Sequence, residues 1–172
     1  MIPDLVIRET TEEDYCRVLR FIELVDGDFC PPLSQRGDGG IPARVKESLS
    51  KANSNYVVAQ LTQPDPADFL EGLVAMVGFT RKWQYQDDAY INFLGTHPSY
   101  RKQGIAELLH VRLEDMLFER GVNRLYLCTW SGNKAAIRFY QRMGYGVYSV
   151  ILNDRGRGIN TLNYRKRLGA KQ

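Results

Sequence analysis

The chain has 172 residues, 44% of them apolar, which suits one folded domain over 1–172 and leaves little room for two. Its 23 basic and 20 acidic side chains leave a net charge of +3, too small to imply a nucleic-acid partner. The three cysteines, Cys16, Cys30 and Cys128, form no C-x-x-C pair, so neither a disulfide framework nor a metal site is indicated.

No apolar stretch approaches the roughly 18 residues needed to span a bilayer, and Asp4 and Glu9 interrupt any signal-peptide pattern. A cytoplasmic protein without a membrane role is expected. Charge is nevertheless polarised along the chain. Residues 1–100 carry 9 basic and 15 acidic side chains, and residues 101–172 carry 14 and 5. A basic half suits an anionic ligand and an acidic half a cationic one, while solvated surface charge explains the same numbers.

In chain order, Leu5–Arg8 reads as a strand, and Thr10 to Asp14 offers a capped start for a helix carrying Tyr15, Val18, Leu19, Ile22 and Val25. Residues 27–42 hold so many glycines and prolines that a loop is expected, before a short helix at Ala43–Leu49. Asn55–Leu61 and Leu70–Thr80 read as strands joined through Pro64-Asp65-Pro66, and Tyr90–Thr96 as a third. From Arg101 a helical period begins, with Ile105, Leu108, Leu109, Leu113, Met116 and Leu117 on one stripe until Gly121 stops it.

Arg124–Thr129 is then a strand, and Ala136, Phe139, Tyr140 and Met143 mark a helix ended by Gly144. Tyr145–Leu152 and Gly158–Leu168 form a closing hairpin. The order β-α-α-β-β-β-α-β-α-β-β predicts an α/β single domain, a mixed sheet with helices on both faces.

The most informative stretch runs from Leu94 through Gly95, Thr96, His97 and Pro98 to Arg101-Lys102-Gln103-Gly104-Ile105-Ala106. A strand ends, a turn follows and a long helix begins. Main-chain N–H groups entering a helix have no intrahelical partner, so they converge on an anion, and the helix dipole adds positive potential there. Gly104 allows close approach, and Arg101 and Lys102 bring full charges to the rim. Neither a P-loop nor a dinucleotide-binding glycine pattern occurs.

Arg101-Lys102-Gln103-Gly104-Ile105-Ala106 resembles the [QR]-x-x-G-x-[GA] signature of the GNAT superfamily of acyl-CoA-dependent N-acyltransferases. Downstream, Asn133 to Tyr145 is similar to the same family's N-x-x-A-x-x-[FL]-Y-x-x-x-G-[FY] segment. The resemblance implies a largely antiparallel GNAT-type sheet and acetyl-CoA as co-substrate. It implies that Gln103, Gly104, Ile105 and Ala106, with Arg101 and Lys102, bind the pyrophosphate, and that Leu94, Gly95 and Thr96 pair with the pantetheine arm. Gly95 is locally unfavourable in a strand, so a bulge or a close backbone approach is expected there. Asn133 either caps its helix or reaches the cofactor. Lys134, Arg138 and Arg142 form a basic stripe, either the wet face of the helix or a contact to the cofactor's ribose phosphate.

By the resemblance, Tyr140 lies near the coenzyme sulfur and acts as the acid; by spacing alone it reads as a core aromatic beside Phe139. The attacking amine must lose a proton, and Asp88 is the candidate base, with Asp87, Glu23, Asp26 and Asp28 as further carboxylates. His97 and His110 read as structural or solvent-facing, and Cys128 as packing. The acceptor is expected to be a small-molecule or peptide amine. The acidic first half suits a cationic one, with Trp83, Tyr85 and Tyr90 as an aromatic wall. The expected activity is direct acetyl transfer in a ternary complex, in a monomer or homodimer. The alternatives are a non-catalytic acyl-CoA sensor and an acetyltransferase acting on a protein N-terminus or lysine.

Overall fold

A computed structural model of the chain describes residues 4–37 and 39–169. The ends of the expected 1–172 domain, and Asp38 within the 27–42 loop, lie outside the described residues. Seven strands, β1 (Leu5–Glu9), β2 (Ser54–Leu61), β3 (Leu73–Arg81), β4 (Asp88–Thr96), β5 (Arg124–Trp130), β6 (Gly146–Ile151) and β7 (Thr161–Arg167), form one sheet in the order β1-β2-β3-β4-β5-β7-β6. Among the described residues four α-helices accompany them: α1 (Tyr15–Val25), α2 (Gly40–Ser50), α3 (Ile105–Glu119) and α4 (Lys134–Arg142). The architecture is the predicted mixed α/β fold. β1–β2, β5–β7 and β6–β7 are antiparallel, and β4–β5 is parallel.

Chain contacts divide the protein into two units, residues 1–79 with 93–115 and residues 80–92 with 116–172. In the first, α1 opens where Asp14 turns back on Thr11, whose N–H donates to the Asp14 carboxylate at 2.9 Å. Val18, Phe21, Ile22 and Val25 repeat at helical spacing and are buried with Leu33, Ile41, Val45, Tyr56, Val58, Met76 and Phe93 in one core. Burying such side chains stabilises by about 1.5–3 kcal/mol each. The expected loop at 27–42 is only partly irregular. Asp26–Asp28 and Leu33–Gln35 are single 3-10 turns, and α2 begins at Gly40, three residues before the sequence suggested. Gly39, at φ +80°, supplies the entry that a side chain would strain.

β3 starts at Leu73 rather than Leu70 because Asp68 folds the preceding residues into a turn, its two oxygens accepting from the N–H groups of Leu70 and Gly72 at 2.9 and 2.8 Å. α3 starts at Ile105 rather than Arg101, since Lys102 and Gly104 sit at φ +61° and +81° and cannot belong to a right-handed helix. Its core stripe is Ile105, Leu109, Leu113 and Leu117; Leu108, expected on that stripe, is 41% exposed.

In the second unit, the end of α3 is closed at Gly121 (φ +81°). The Val122 N–H meets the Leu117 carbonyl at 3.0 Å. α4 buries Tyr140, which packs with Tyr145 and Tyr164 at ring separations of 5.8 and 6.0 Å. β6, with a bulge between Val147 and Ser149, pairs only with β7 and forms the edge of the sheet.

Candidate active site

The phosphate-cradle residues all lie in the first unit. His97 ends the strand with its N–H on the Val74 carbonyl at 2.8 Å, and its Nδ1 accepts from the Ser99 N–H at 3.2 Å. Pro98–Tyr100 then make a 3-10 turn, Arg101 is extended, and Lys102 and Gly104 take left-handed conformations that aim the following main chain into α3. Among the described residues no acceptor meets the N–H groups of Gln103, Gly104, Ile105 or Ala106. Four successive main-chain donors at a helix start, beside Lys102, have the arrangement from which anion sites are built.

Two expectations for this stretch change in detail. The Arg101 guanidinium is already engaged, with Nη2 2.5 Å from the Asp28 carboxylate and Nε donating to the Thr96 carbonyl at 3.1 Å. Its charge is therefore shared with a carboxylate in the α1–α2 connection. Gly95 has a local reason of its own, because a Cβ there would lie 2.9 Å from the Phe93 ring and 3.3 Å from Phe21. Leu94, Gly95 and Thr96 lie beyond the four residues of β4, Asp88–Ile91, that pair with β5.

Asp88, Asn133 and Tyr140 lie in the second unit. The Asn133 amide oxygen accepts from the Ala136 N–H at 3.0 Å, the capping alternative. Lys134, Arg138 and Arg142 are exposed. Asp88 is fully buried, and its two oxygens accept from the Gln84 and Tyr85 N–H groups, both at 3.1 Å, which closes the turn between β3 and β4. Asp87 instead pairs with Arg124 at 3.0 Å.

Burial pushes the Tyr140 phenol well above its ordinary pKa, with Cys128 and Tyr164 adding to the shift, so this hydroxyl keeps its proton. The same holds for Tyr90, where burial is again the largest cause.

Cys128, whose apolar neighbours in sequence suggest packing, has a sulfur that is a polar junction. Cys128 Sγ accepts from the Tyr90 hydroxyl at 3.1 Å and from Arg155 Nη2 at 3.2 Å, while Arg155 Nε donates to the Thr161 hydroxyl at 2.9 Å. No local motif marks this group; its members come from β4, β5, the β6–β7 connection and β7. His110, expected to be structural or solvent-facing, is fully buried with Nε2 3.4 Å from Glu114. Among the carboxylates flanking the loop, Asp26 accepts from the Ser34 N–H at 3.0 Å and its hydroxyl at 2.5 Å.

The family pattern of acetyltransferases (GNAT) matches residues 28–145. Acetyltransferase SG1711 of Sodalis glossinidius is 38% identical over 60 residues, 35% of this chain and 42% of that protein. YdgE of Bacillus subtilis, described as an N-acetyltransferase, is 31% identical over 74 residues, 40% of this chain and 47% of that protein. The chain thus spans less than half the length of these relatives. An aminoglycoside 6'-N-acetyltransferase complexed with coenzyme A superposes with TM-score 0.76 at 17% identity, covering 97% of this chain and 99% of that one. The ribosomal-protein-S18-alanine N-acetyltransferase of Escherichia coli superposes with TM-score 0.72 at 16% identity, covering 98% and 96%. These superpositions show a shared fold. With its family pattern running from the α1–α2 connection to the end of α4, the chain belongs to the GNAT acetyltransferase family.

Proposed function

We propose that this protein is one N-acetyltransferase domain that moves an acetyl group from acetyl-CoA to a primary amine by direct attack. The observation that carries this reading is the run of N–H groups from Gln103 to Ala106 that meet no acceptor among the described residues. Those donors, with Lys102, hold the diphosphate of coenzyme A. The coenzyme's arm pairs along the β4 backbone at Leu94–Thr96, as a peptide extends a sheet edge. Arg101 contributes its remaining donors once a phosphate competes with Asp28.

In the transfer, the amine nitrogen bonds to the acetyl carbon, the C–S bond breaks, the sulfur leaves with the electron pair, and the proton lost by the amine passes through water to the thiolate. Tyr140 is the donor to the departing sulfur. A phenol held above its ordinary value yields a proton to a thiolate of pKa about 8.5 only uphill, so its contribution is a hydrogen bond to the developing charge. We assign Asp88 to the turn that it closes, because both oxygens are already held by main-chain donors.

Calorimetric titration with acetyl-CoA, followed by a thiol-release assay over a panel of amines, tests the proposal. Saturable binding with amine-dependent thiol release is expected. Tight binding without release from any small amine, peptide or protein would instead make the chain an acyl-CoA sensor.

A further inference from the structure

The second unit gathers aromatic rings and guanidinium groups on one face of its strands. Tyr90 of β4 stands opposite Tyr126 of β5, and Tyr126 opposite Arg165 of β7. Directly opposed residues share a face of the sheet. The Trp83 ring covers both tyrosines, with centroids 4.6 Å from Tyr90 and 5.4 Å from Tyr126. Tyr148 meets Tyr126 edge-on at 5.7 Å, and the Arg165 guanidinium lies 5.7 Å from the Tyr148 ring. Trp83 and Tyr148 keep 39% and 41% of their surfaces exposed. Arg155, fixed by Thr161 and Cys128, brings a second guanidinium to the Cys128 position of this face.

The charge here is one-sided. Described residues of this unit include twelve basic side chains and four acidic ones. Of the acids, Asp87 pairs with Arg124, Asp88 is enclosed by its turn, Asp154 accepts from the Thr161 hydroxyl at 2.5 Å, and Glu119 ends α3. Among the described residues no carboxylate pairs with Arg165, which is exposed. Of the acids bordering the loop after α1, Asp28 is engaged by Arg101 and Asp26 by Ser34. Flat rings beside an unpaired guanidinium match a ligand with a flat apolar body and a carboxylate.

We propose that this face selects the acceptor, and that the acceptor is an amine carrying a carboxylate and an aromatic or flat apolar body. The carboxylate meets Arg165 and the body rests on Trp83 and Tyr148. This inference rests on the acetyltransferase reading for the word acceptor, but the binding face does not depend on turnover.

The test therefore uses the N-acetylated product. N-acetyl-phenylalanine and its carboxamide are titrated into protein loaded with coenzyme A and followed by calorimetry and by tryptophan fluorescence, since Trp83 is one of only two tryptophans. The acid is expected to bind about tenfold more tightly than the amide, one charge-assisted contact's worth. Arg165→Gln, a change on an exposed position, is expected to remove most of that preference, and Trp83→Leu to weaken both ligands.

Equal affinities, a preference for the amide, no binding of either, or a preference that survives Arg165→Gln overturns the proposal. A carboxylate preference without thiol release from any amine upholds the binding face and refutes the catalytic reading. Thiol release with no carboxylate preference does the reverse.

Discussion

Asp28 holds Arg101 across the opening of the phosphate turn, carboxylate to guanidinium at 2.5 Å, though 73 residues separate them in sequence. The pair places a negative charge beside the site where a diphosphate would bind. Asp28→Asn removes that charge and releases the guanidinium. We expect acetyl-CoA to bind about two- to fivefold more tightly at low salt, with the gain shrinking as salt rises. Stability should change by less than about 1 kcal/mol, because both side chains are largely exposed. Calorimetry at two ionic strengths reads both effects, and weaker binding would show that Asp28 positions Arg101 instead of competing for it.

Tyr140→Phe keeps the ring against Tyr145 and Tyr164 and deletes only the hydroxyl. Turnover should fall about ten- to a hundredfold while the affinity for acetyl-CoA stays within about twofold. Because burial raises this phenol's pKa, its ionisation should add no descending limb to the pH–rate profile below about pH 10. An unchanged turnover number would remove the hydroxyl from the chemistry.

Asp88→Asn separates a turn from a base. The amide retains one oxygen for the two N–H groups of Gln84 and Tyr85, so melting should show a loss of about 1–3 kcal/mol. Turnover of the folded fraction should stay within about threefold. A drop of a hundredfold or more with an unaltered melting curve would return Asp88 to the role of base.

Asp14 governs acid stability. The Arg8 guanidinium, at 2.7 Å, is the main reason that its carboxyl is lowered to about 2, with the Thr11 N–H and Arg17 adding to the effect against the opposing penalty of burial. A carboxyl depressed on folding stabilises the protein fully above its unfolded pKa near 4 and loses that contribution as pH falls toward 2. Asp14→Asn should remove stability on the order of 1–2 kcal/mol at pH 7 and flatten the acid limb between about pH 4 and 2. Denaturant titrations at several pH values check this.

The order of strands and helices was legible because each element carries its own period and its own breakers. The start of α3 was not, since Ile105, Leu109 and Leu113 extend their pattern backwards past residues whose positive φ only the folded turn reveals. Gly39, Gly40 and Pro42 read as loop residues, although the first of them supplies the N-terminal cap of α2. At the site, Gln103 to Ala106 stand out in the sequence as a turn running into a helix start, and their phosphate-binding role came from the family resemblance. The Asp28–Arg101 pair and the Tyr90–Cys128–Arg155 junction were not legible, for they join residues distant in sequence through strand pairing and loop closure, which leave no periodic trace.

Amide chemical shifts report directly on the four main-chain N–H groups from Gln103 to Ala106. Titrating coenzyme A into isotopically labelled protein should move the Gln103, Gly104, Ile105 and Ala106 amide signals most strongly and saturably, and Gly104→Glu should abolish the response by bringing a bulky negative charge to a φ of +81°. Coenzyme binding that leaves those four signals in place, or no binding at all, would contradict the account.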